Sequence, residues 1–398
     1  MWMRQLSPVG TPISIPDLVY WLHAQFNQSG VLEEFRQSIC DRYGVRYCFF
    51  VSTGRAAFSL VLEAMRECAS TEKDEVIIPS YTCYSVPASV ARAGLKVRIC
   101  DIDPRTLDYD YIALEQADFT RVLCVASANL YGIPNDLPRL GAIARKNGAL
   151  VLDDAAQSME ASIQGDFSGT LGDVGIFSLD KGKNITSIDG GIIVTNRDDL
   201  GSLLQAKVAA LPEPSLKTRS LYLIKLLVYS SFLHPRLYWI PNGIPWLNLG
   251  STRYTVNFLK ESYPVFLASV GKRLFDRVGL ITASRIEKAQ YLIKKIKGLD
   301  NIQLITNPSY ISPVYLRLPL LIKRDHRDKL MIRLKQAGIG ASTSYPTSIV
   351  DIPNIDSNLF RGSCHSEAGR WVAKMILTLP THSYVTKADL DRIVLKFR

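Results

Sequence analysis

The sequence Val174-Gly-Ile-Phe-Ser-Leu-Asp-Lys-Gly-Lys-Asn-Ile-Thr186, continued by Asp189-Gly-Gly-Ile-Ile-Val-Thr195, decides the fold class of this chain. Its two apolar runs predict buried strands, which a loop containing two lysines connects. Upstream, Ala149-Leu-Val-Leu-Asp-Asp154 predicts a third buried strand, and this one ends in two carboxylates. The polar groups therefore stand at strand ends, which is where ligands bind in open α/β sheets.

The same pattern of apolar runs extends over the first two-thirds of the chain. Strands are predicted at 47–51, 75–78, 96–100, 121–126, 149–153, 174–178 and 191–195. Helical periodicity lies between several of them, at 54–67, 87–93 and 137–147. Repeated strand-then-helix units favour an α/β fold with a mostly parallel sheet that is covered by helices on both faces.

The last third has a different pattern. Residues 283–296 and 327–337 predict helices, residues 312–322 predict a strand, and Thr386-Lys-Ala-Asp389 is a capping box that opens a final helix. We therefore expect an N-terminal arm at 1–30, a large domain at 31–280 and a smaller α+β domain at 281–398.

Composition excludes several classes of protein. The 398 residues are 47% hydrophobic, enough for a sizeable core. The seven cysteines are odd in number and include no C-x-x-C pair, which argues against a disulfide framework and a zinc site and favours a reducing cytosol. The first residues do not resemble a signal peptide, and no apolar run is long enough to span a bilayer. The net charge of +10 does not by itself choose among anionic partners.

Residues 214–260 form an unusual insertion in the large domain, because they contain no acid. Their cations are Lys217, Arg219, Lys225, Arg236, Arg253 and Lys260, and their large aromatic residues are Tyr222, Tyr229, Phe232, Tyr238, Trp239, Trp246, Tyr254 and Phe258. Two interpretations remain open. The segment contacts the inner face of a membrane or a lipid-linked partner, or its apolar residues pack on the enzyme's own core or across a dimer.

An acid at the end of one strand and a lysine just past another suit pyridoxal phosphate (PLP). A lysine amine forms a Schiff base with the aldehyde of PLP, and an acid keeps the pyridine nitrogen protonated. Lys183 and Asp154 are the candidates. Lys181 and Asp153 are alternatives to them, and Asp154 also suits the N-cap of a helix.

Ten short blocks along the chain carry a family resemblance. They are Ser52-Thr-Gly-Arg-Ala-Ala57, Val76-Ile-Ile-Pro-Ser-Tyr-Thr-Cys83, Asp101-Ile-Asp-Pro104, Leu130-Tyr-Gly-Ile-Pro134, Asp154-Ala-Ala-Gln-Ser158, Gly172-Asp-Val-Gly-Ile-Phe-Ser178, Lys183-Asn-Ile-Thr186, Gly338-Ile-Gly340, Ser344-Tyr-Pro346 and Leu377-Thr-Leu-Pro-Thr-His382. In this order they resemble the DegT/StrS-type PLP-dependent sugar aminotransferases. That resemblance implies PLP-dependent transferase fold type I, the aspartate-aminotransferase fold, in which 31–280 is the PLP-binding domain.

The resemblance also assigns roles to individual residues. It implies that Lys183 is the Schiff-base lysine, that Asp154 is the pyridinium partner, and that Gln157 reaches the phenolic oxygen of the cofactor. Backbone N–H groups of Gly54 and Arg55 and the hydroxyl of Ser178 would bind the phosphate.

Two of these blocks depart from the family pattern. Arg55 replaces the usual threonine, so it adds a charge to the phosphate site or points away from it. Cys83 replaces an aromatic residue that stacks on the pyridine ring, a role that Tyr81 or Tyr84 would then take.

The implied activity is transfer of an amino group, from glutamate or another donor, to a keto group of a nucleotide-activated sugar. Such products enter cell-surface polysaccharides or secondary metabolites. The resemblance further implies a cytoplasmic homodimer that binds no nucleic acid. In the family, an asparagine-aromatic-arginine segment acts on the neighbouring subunit, and Asn257-Phe258 is its nearest counterpart here. The alternatives are a lyase of the same fold, such as a dehydratase without the lysine, and a non-catalytic regulator or scaffold.

Overall fold

The computed structural model describes residues 4–244 and 252–397. Its α-helices are α1 (Ile15–Ala24), α2 (Gln28–Tyr43), α3 (Gly54–Cys68), α4 (Ser85–Arg92), α5 (Tyr111–Glu115), α6 (Leu137–Lys146), α7 (Asp198–Ala209), α8 (Leu216–Phe232), α9 (Trp239–Asn242), α10 (Ala268–Phe275), α11 (Val278–Ile296), α12 (Arg324–Gln336), α13 (Glu367–Met375) and α14 (Lys387–Phe397). Its strands are β1 (Tyr47–Val51), β2 (Glu75–Pro79), β3 (Lys96–Cys100), β4 (Ile102–Asp103), β5 (Asp108–Tyr109), β6 (Val122–Ala126), β7 (Leu150–Asp154), β8 (Ser162–Ile163), β9 (Asp166–Phe167), β10 (Val174–Ser178), β11 (Gly191–Thr195), β12 (Ile302–Leu304), β13 (Ile311–Ser312), β14 (Arg317–Ile322) and β15 (Ile376–Pro380).

A seven-stranded sheet forms the centre of the large domain, in the order β1-β11-β10-β7-β6-β2-β3. All seven predicted strands are in it. Neighbours from β10 to β3 are parallel, whereas β11 runs antiparallel to both β1 and β10. The predicted α/β fold with a mostly parallel sheet is confirmed, and the strands are apolar on both faces because helices cover both.

Strand register aligns the ends of three neighbouring strands. Val51 at the end of β1 pairs with Gly191 of β11, and Gly191 pairs in turn with Ser178 at the end of β10. A side chain at position 191 would not fit, because its Cβ would lie 2.4 Å from the carbonyl oxygen of Thr53. The turn after β1 and the hydroxyl of Ser178 are therefore brought to the same edge of the sheet.

A second, antiparallel sheet of β12, β14 and β15 lies in the C-terminal part, where α11, α12 and α14 supply a separate apolar core. The strand predicted at 312–322 is shorter than expected, since β14 begins at Arg317. Pro313 lacks an N–H for a ladder, and Tyr315 has a left-handed φ of 49°. Ile311 and Ser312 instead form β13, which pairs with β8 of the large domain.

The predicted capping box is present at the start of α14. The N–H of Asp389 donates to Oγ1 of Thr386 at 3.3 Å, and the N–H of Thr386 donates to the Asp389 carboxylate at 2.9 Å. The boundary predicted at residue 280 falls within α11, whose Ile281 packs in the core below the large sheet and whose Leu292 packs under the small one. The division into arm, large domain and small domain stays a prediction.

Helix α8 and the short helix α9 occupy part of the 214–260 insertion, while Trp246 lies outside the described residues. In the part of the chain that the structure describes, no helix is both long and apolar enough to cross a bilayer.

Candidate active site

The loop after β10 carries both candidate lysines, and they differ in their partners. Nζ of Lys181 lies 3.1 Å from Oδ1 of Asp180 and 3.4 Å from the carbonyl oxygen of Ile188. Lys183 is partly buried, and its amine has no ion-pair partner among residues 4–244 and 252–397. Because a lysine that binds a cofactor aldehyde needs an uncommitted amine, this arrangement favours Lys183 over Lys181.

The two carboxylates at the end of β7 also differ. Asp153 is fully buried and serves the fold, since it accepts hydrogen bonds from the N–H of Gly169 at 2.6 Å and from Nδ2 of Asn129 at 2.7 Å. Asp154 accepts one hydrogen bond, from the N–H of Ala156 at 3.0 Å to Oδ1. Asp154 can therefore hold the backbone with Oδ1 and contact a cofactor with Oδ2, because Oδ2 has no protein hydrogen bond within the described residues.

The electrostatic surroundings of Asp154 suit a cationic partner. Burial raises the pKa of its carboxyl from about 3.8 to about 6, while the N–H of Ala156 and the charge of Lys183 act in the opposite direction. A protonated pyridine nitrogen held against this carboxylate would lower the pKa of Asp154 again. The carboxylate would in turn keep that nitrogen protonated. The carboxylate and the free amine therefore have the chemistry that PLP requires.

A small gap between Gly54 and Ser178 suits a phosphate group. A Cβ on Gly54 would lie 3.1 Å from Oγ of Ser178, so the glycine leaves open the space beside this hydroxyl. Helix α3 begins at Gly54, and Oγ1 of Thr53 accepts a hydrogen bond only from the N–H of Ala56, at 3.0 Å. N–H groups at the start of a helix attract anions, and the residues present therefore fit the phosphate of PLP.

Arg55 has its guanidinium over the ring of Phe258, 5.3 Å from the ring centroid. Phe258 belongs to the segment that the sequence suggests for a contact in trans, yet here it packs on Arg55 of its own chain. The backbone N–H of Arg55 stays in the first turn of α3, where the phosphate is expected.

The segment 81–84 meets the loop at 345–347 of the small domain. The hydroxyl of Tyr81 donates to the carbonyl oxygen of Tyr345 at 3.2 Å, and the hydroxyl of Tyr84 lies 2.6 Å from Oγ1 of Thr347. Both tyrosines are buried, whereas Cys83 is partly exposed. Of the three residues considered for the face of the pyridine ring, Cys83 is thus the accessible one.

Gln157 lies in the same region and is held at both ends. Its Nε2 donates to the hydroxyl oxygen of Tyr345 at 3.0 Å, and its Oε1 accepts from the N–H of Tyr131 at 3.1 Å. Tyr345 is a further candidate for the site that sequence reasoning missed, although it lies within a block of the family resemblance.

The loop that carries Lys183 is clamped by residues far away in the chain. Oγ1 of Thr11 lies 2.9 Å from the carbonyl oxygens of both Lys183 and Asn184. The hydroxyl of Tyr229, on α8, donates to the carbonyl oxygen of Lys181 at 2.7 Å and accepts from the N–H of Thr11 at 3.0 Å. Nothing in the local pattern of the sequence signals these contacts.

Arg285 of α11 supports this clamp from the other side. It is 1% exposed, and its Nη2 donates to Oγ1 of Thr11 at 2.9 Å and to the carbonyl oxygen of Gly10 at 3.0 Å. Its Nη1 donates to the carbonyl oxygen of Leu316 at 3.2 Å. Burial lowers the pKa of this guanidinium to about 10. The N-terminal residues Gly10 and Thr11, Leu316 near the start of β14 and, through Thr11, the lysine loop therefore meet at one buried cation.

Comparisons with known proteins identify the family of this chain. The model of the DegT/DnrJ/EryC1/StrS aminotransferase family matches residues 21–216 and 264–398, and so leaves out most of the 214–260 insertion. GDP-perosamine synthase of Caulobacter vibrioides is 27% identical over 372 residues, which cover 91% of this chain and 87% of that protein. UDP-2-acetamido-2-deoxy-3-oxo-D-glucuronate aminotransferase of Pseudomonas aeruginosa is 34% identical over 184 residues, 46% of this chain and 50% of that protein.

A solved structure shows the same fold over the whole chain. The E. coli GDP-4-keto-6-deoxy-D-mannose-3-dehydratase with bound hydrated PLP superimposes with a TM-score of 0.79 at 17% identity, and the match covers 100% of both chains. The fold is thus that of PLP-dependent enzymes, and the family model covers well over half of the sequence. The chain therefore belongs to the DegT/DnrJ/EryC1/StrS aminotransferase family and is a PLP-dependent transaminase.

Proposed function

We propose that this transaminase carries an amino group from glutamate to the keto carbon of a nucleotide-activated sugar. The names of the two relatives above, which refer to GDP-linked and UDP-linked sugars, support the acceptor class. The observation that carries the proposal is the uncommitted amine of Lys183, close enough to Asp154 to lower its pKa. The amino group of the donor and the keto oxygen of the sugar exchange places, so glutamate leaves as 2-oxoglutarate.

Three side chains act on the pyridine ring and the aldehyde of the cofactor in this proposal. PLP supplies an electron sink for the bond that breaks at the substrate. Lys183 holds the cofactor, and once its amine is released it moves a proton at Nζ as general base and then as general acid. Asp154 would keep the pyridine nitrogen protonated, and Gln157, whose Nε2 donates one hydrogen to the hydroxyl of Tyr345, would donate the other to the phenolic oxygen.

Other residues hold the cofactor without taking part in proton transfer. The hydroxyl of Ser178 and the first N–H groups of α3, from Gly54 and Arg55, bind the phosphate. The guanidinium of Arg55 adds positive charge near that helix end while it stacks on Phe258. Cys83, which is partly exposed, would border the pyridine ring and cover it less than an aromatic residue.

A dehydratase is the alternative that a specific observation favours, because the E. coli dehydratase has the same fold over its whole length. The family resemblance implies that such dehydratases lack the Schiff-base lysine. The presence of Lys183 between Ser178 and the Asp189-Gly-Gly turn therefore supports amino transfer.

We also propose that the enzyme is a homodimer with its active site near the interface. Helix α1 and the turn after it carry an exposed apolar stripe of Ile15, Val19, Leu22 and Phe26, which recur at the spacing of one helix face. Phe26 is 94% exposed, and a second subunit would cover this stripe. Light scattering at micromolar protein should give twice the mass of one chain, and Leu22→Glu with Phe26→Glu should lower that mass. A monomer that binds PLP fully would contradict this part of the proposal.

The activity is tested by incubating the pure protein with PLP, glutamate and a panel of nucleotide keto-sugars. Mass spectrometry should detect an amino sugar, and an equal amount of 2-oxoglutarate should form. Lys183→Ala should abolish both products, whereas Lys181→Ala should retain them. Loss of water from a keto-sugar without nitrogen transfer would contradict the proposal and support the dehydratase.

A further inference from the structure

We propose that the outward face of α8 is a docking surface for an anionic phospholipid bilayer. The helix spans Leu216–Phe232 and buries only Tyr222 and Leu226 against the enzyme. Its large apolar residues point the other way, and Leu216, Ile224 and Leu227 are 82%, 57% and 49% exposed. Leu221, Leu223 and Val228 are exposed beside them. The face is therefore mostly apolar, with the exposed Lys217 and Ser220 among its aliphatic residues, and it is open to a partner outside this chain.

The arrangement around the helix is that of an interfacial helix. At about 100° per residue, Leu223 and Leu227 fall within about 20° of Leu216. Measured around the helix axis from Leu216, Arg219 lies about 60° to one side. Lys225 lies about 180° away, beyond the exposed aliphatic residues on the other side. An apolar face bordered by cations is typical of helices that lie in the plane of a bilayer, with their apolar residues among the acyl chains and their cations at the headgroups.

The charges around this face indicate which surface it fits. No acid occurs between residues 214 and 260. Lys260 is paired with Glu63 at 2.6 Å, but in the parts of the chain that the structure describes, no ion pair holds Lys217, Arg219 or Arg236. Unpaired cations beside an apolar surface attract the anionic headgroups of phospholipids.

The short helix that follows extends this surface. Arg236, Leu237 and Trp239 are all exposed, and Trp239 is 44% exposed. Tryptophan favours the boundary between headgroups and acyl chains, because its ring is apolar and its N–H is polar. Cationic and aliphatic side chains therefore stay exposed in the turn after α8, and Trp239 adds an exposed aromatic ring at the start of α9.

A second copy of the chain fits this face less well. In a twofold contact between two α8 helices, Lys217 and Arg219 would face a segment that contains no acid to pair with them. The family model also omits residues 217–263, so this surface lies outside the part that the family shares. The stripe on α1 remains available for the subunit contact.

The test is co-sedimentation of the full-length protein with vesicles of phosphatidylcholine, alone or mixed with phosphatidylglycerol. Binding should be confined to the mixed vesicles and should fall when salt rises from about 0.01 M to about 1 M, since screening shortens the Debye length from about 30 Å to about 3 Å. Lys217→Gln and Arg219→Gln should each weaken binding about fivefold. Leu223→Ser and Leu227→Ser should each weaken it about tenfold.

Matched controls lie on other exposed helices. Leu280→Ser on α11 and Lys329→Glu on α12 should bind vesicles as the unaltered protein does, because both residues are exposed elsewhere. Equal binding to both kinds of vesicle, or none to either, would overturn the proposal. A fall in the solution mass of the Leu223→Ser, Leu227→Ser protein would also overturn it, since that result would identify the face as a subunit contact. The vesicle experiment does not depend on transaminase activity, so failure of the proposed activity and failure of membrane binding are distinguished.

Discussion

The hydroxyl oxygen of Tyr229 lies 2.7 Å from the carbonyl oxygen of Lys181, two residues before the lysine that we assign to the cofactor. The same hydroxyl accepts the N–H of Thr11, whose side chain reaches the carbonyl oxygen of Lys183. The partly buried side chain of Tyr229 thus connects α8, whose outer face is exposed, to the loop that carries Lys183. Tyr229 is a positioning residue, because it contacts the backbone of the loop and not the reacting atoms.

Replacing Tyr229 by phenylalanine should therefore loosen the loop while keeping the packing of the ring. We expect a loss of about 1 kcal/mol in the free energy of unfolding, from the missing hydrogen bonds, and weaker retention of PLP. Chemical denaturation and absorbance titration with PLP measure the two effects. Tyr238→Phe is the matched control, since the Tyr238 hydroxyl has no hydrogen-bond partner in the described residues. Equal behaviour of the two variants would argue against the clamp.

Gly54→Ala should fill the space beside Ser178. The new Cβ would lie 3.1 Å from Oγ of Ser178, so we expect PLP to bind about tenfold more weakly, which corresponds to the loss of one hydrogen bond to a charged group. Gly279→Ala on α11 is the control, because a Cβ there meets nothing within 4 Å. Unchanged PLP affinity in Gly54→Ala would place the phosphate elsewhere.

Asp154→Asn should affect turnover, whereas Asp153→Asn should affect the stability of the fold. The first should preserve the fold and lower turnover by several orders of magnitude, because the electron sink is lost. The second should destabilise the protein by about 1–3 kcal/mol, since Asp153 accepts buried hydrogen bonds. Turnover and thermal unfolding of both variants are the measurements. A mild loss of turnover in Asp154→Asn would redirect attention to Asp153.

The pH dependence of the apo-enzyme offers a further check on Asp154. Burial raises the pKa of its carboxyl from about 3.8 to about 6. A raised pKa means that the folded state binds the proton more tightly, so this stability is present below pH 4 and is lost as the pH rises from about 4 to about 6. Relative to Asp154→Asn, the apo-protein should lose at most about 3 kcal/mol over that window. A parallel pH profile for the two proteins would show that the carboxyl is not perturbed.

Much of the fold follows from local sequence. Each of the seven strands of the large sheet is a short apolar run, and each is found within one residue of its predicted bounds. The predicted positions of Lys183 and Asp154 near strand ends follow from the way parallel strands bring their carboxyl ends to one edge, whereas the role of Ser178 is implied by the family resemblance. The strand at 312–322 was too long in the prediction, because Pro313 and the left-handed Tyr315 interrupt the run.

The supporting contacts of the site were not predictable from local pattern. Thr11 meets Lys183 across 172 positions of the chain, and Arg285 meets Thr11 across 274. Such pairs have no periodicity, and a buried arginine without an acid is unexpected from its sequence neighbours. The family resemblance already implies Lys183, and the ion pair of Lys181 with Asp180, which only the folded loop displays, adds a physical reason to prefer it.

The most direct test of the central assignment is to locate the cofactor on the chain. Borohydride reduction of the PLP-loaded enzyme, followed by peptide mapping, should place a pyridoxyl group on Lys183. Lys181→Ala should give the same labelled residue, and Lys183→Ala should lack both the label and the near-visible absorbance of lysine-bound PLP. A pyridoxyl group on Lys181, or on any lysine other than Lys183, would contradict the assignment.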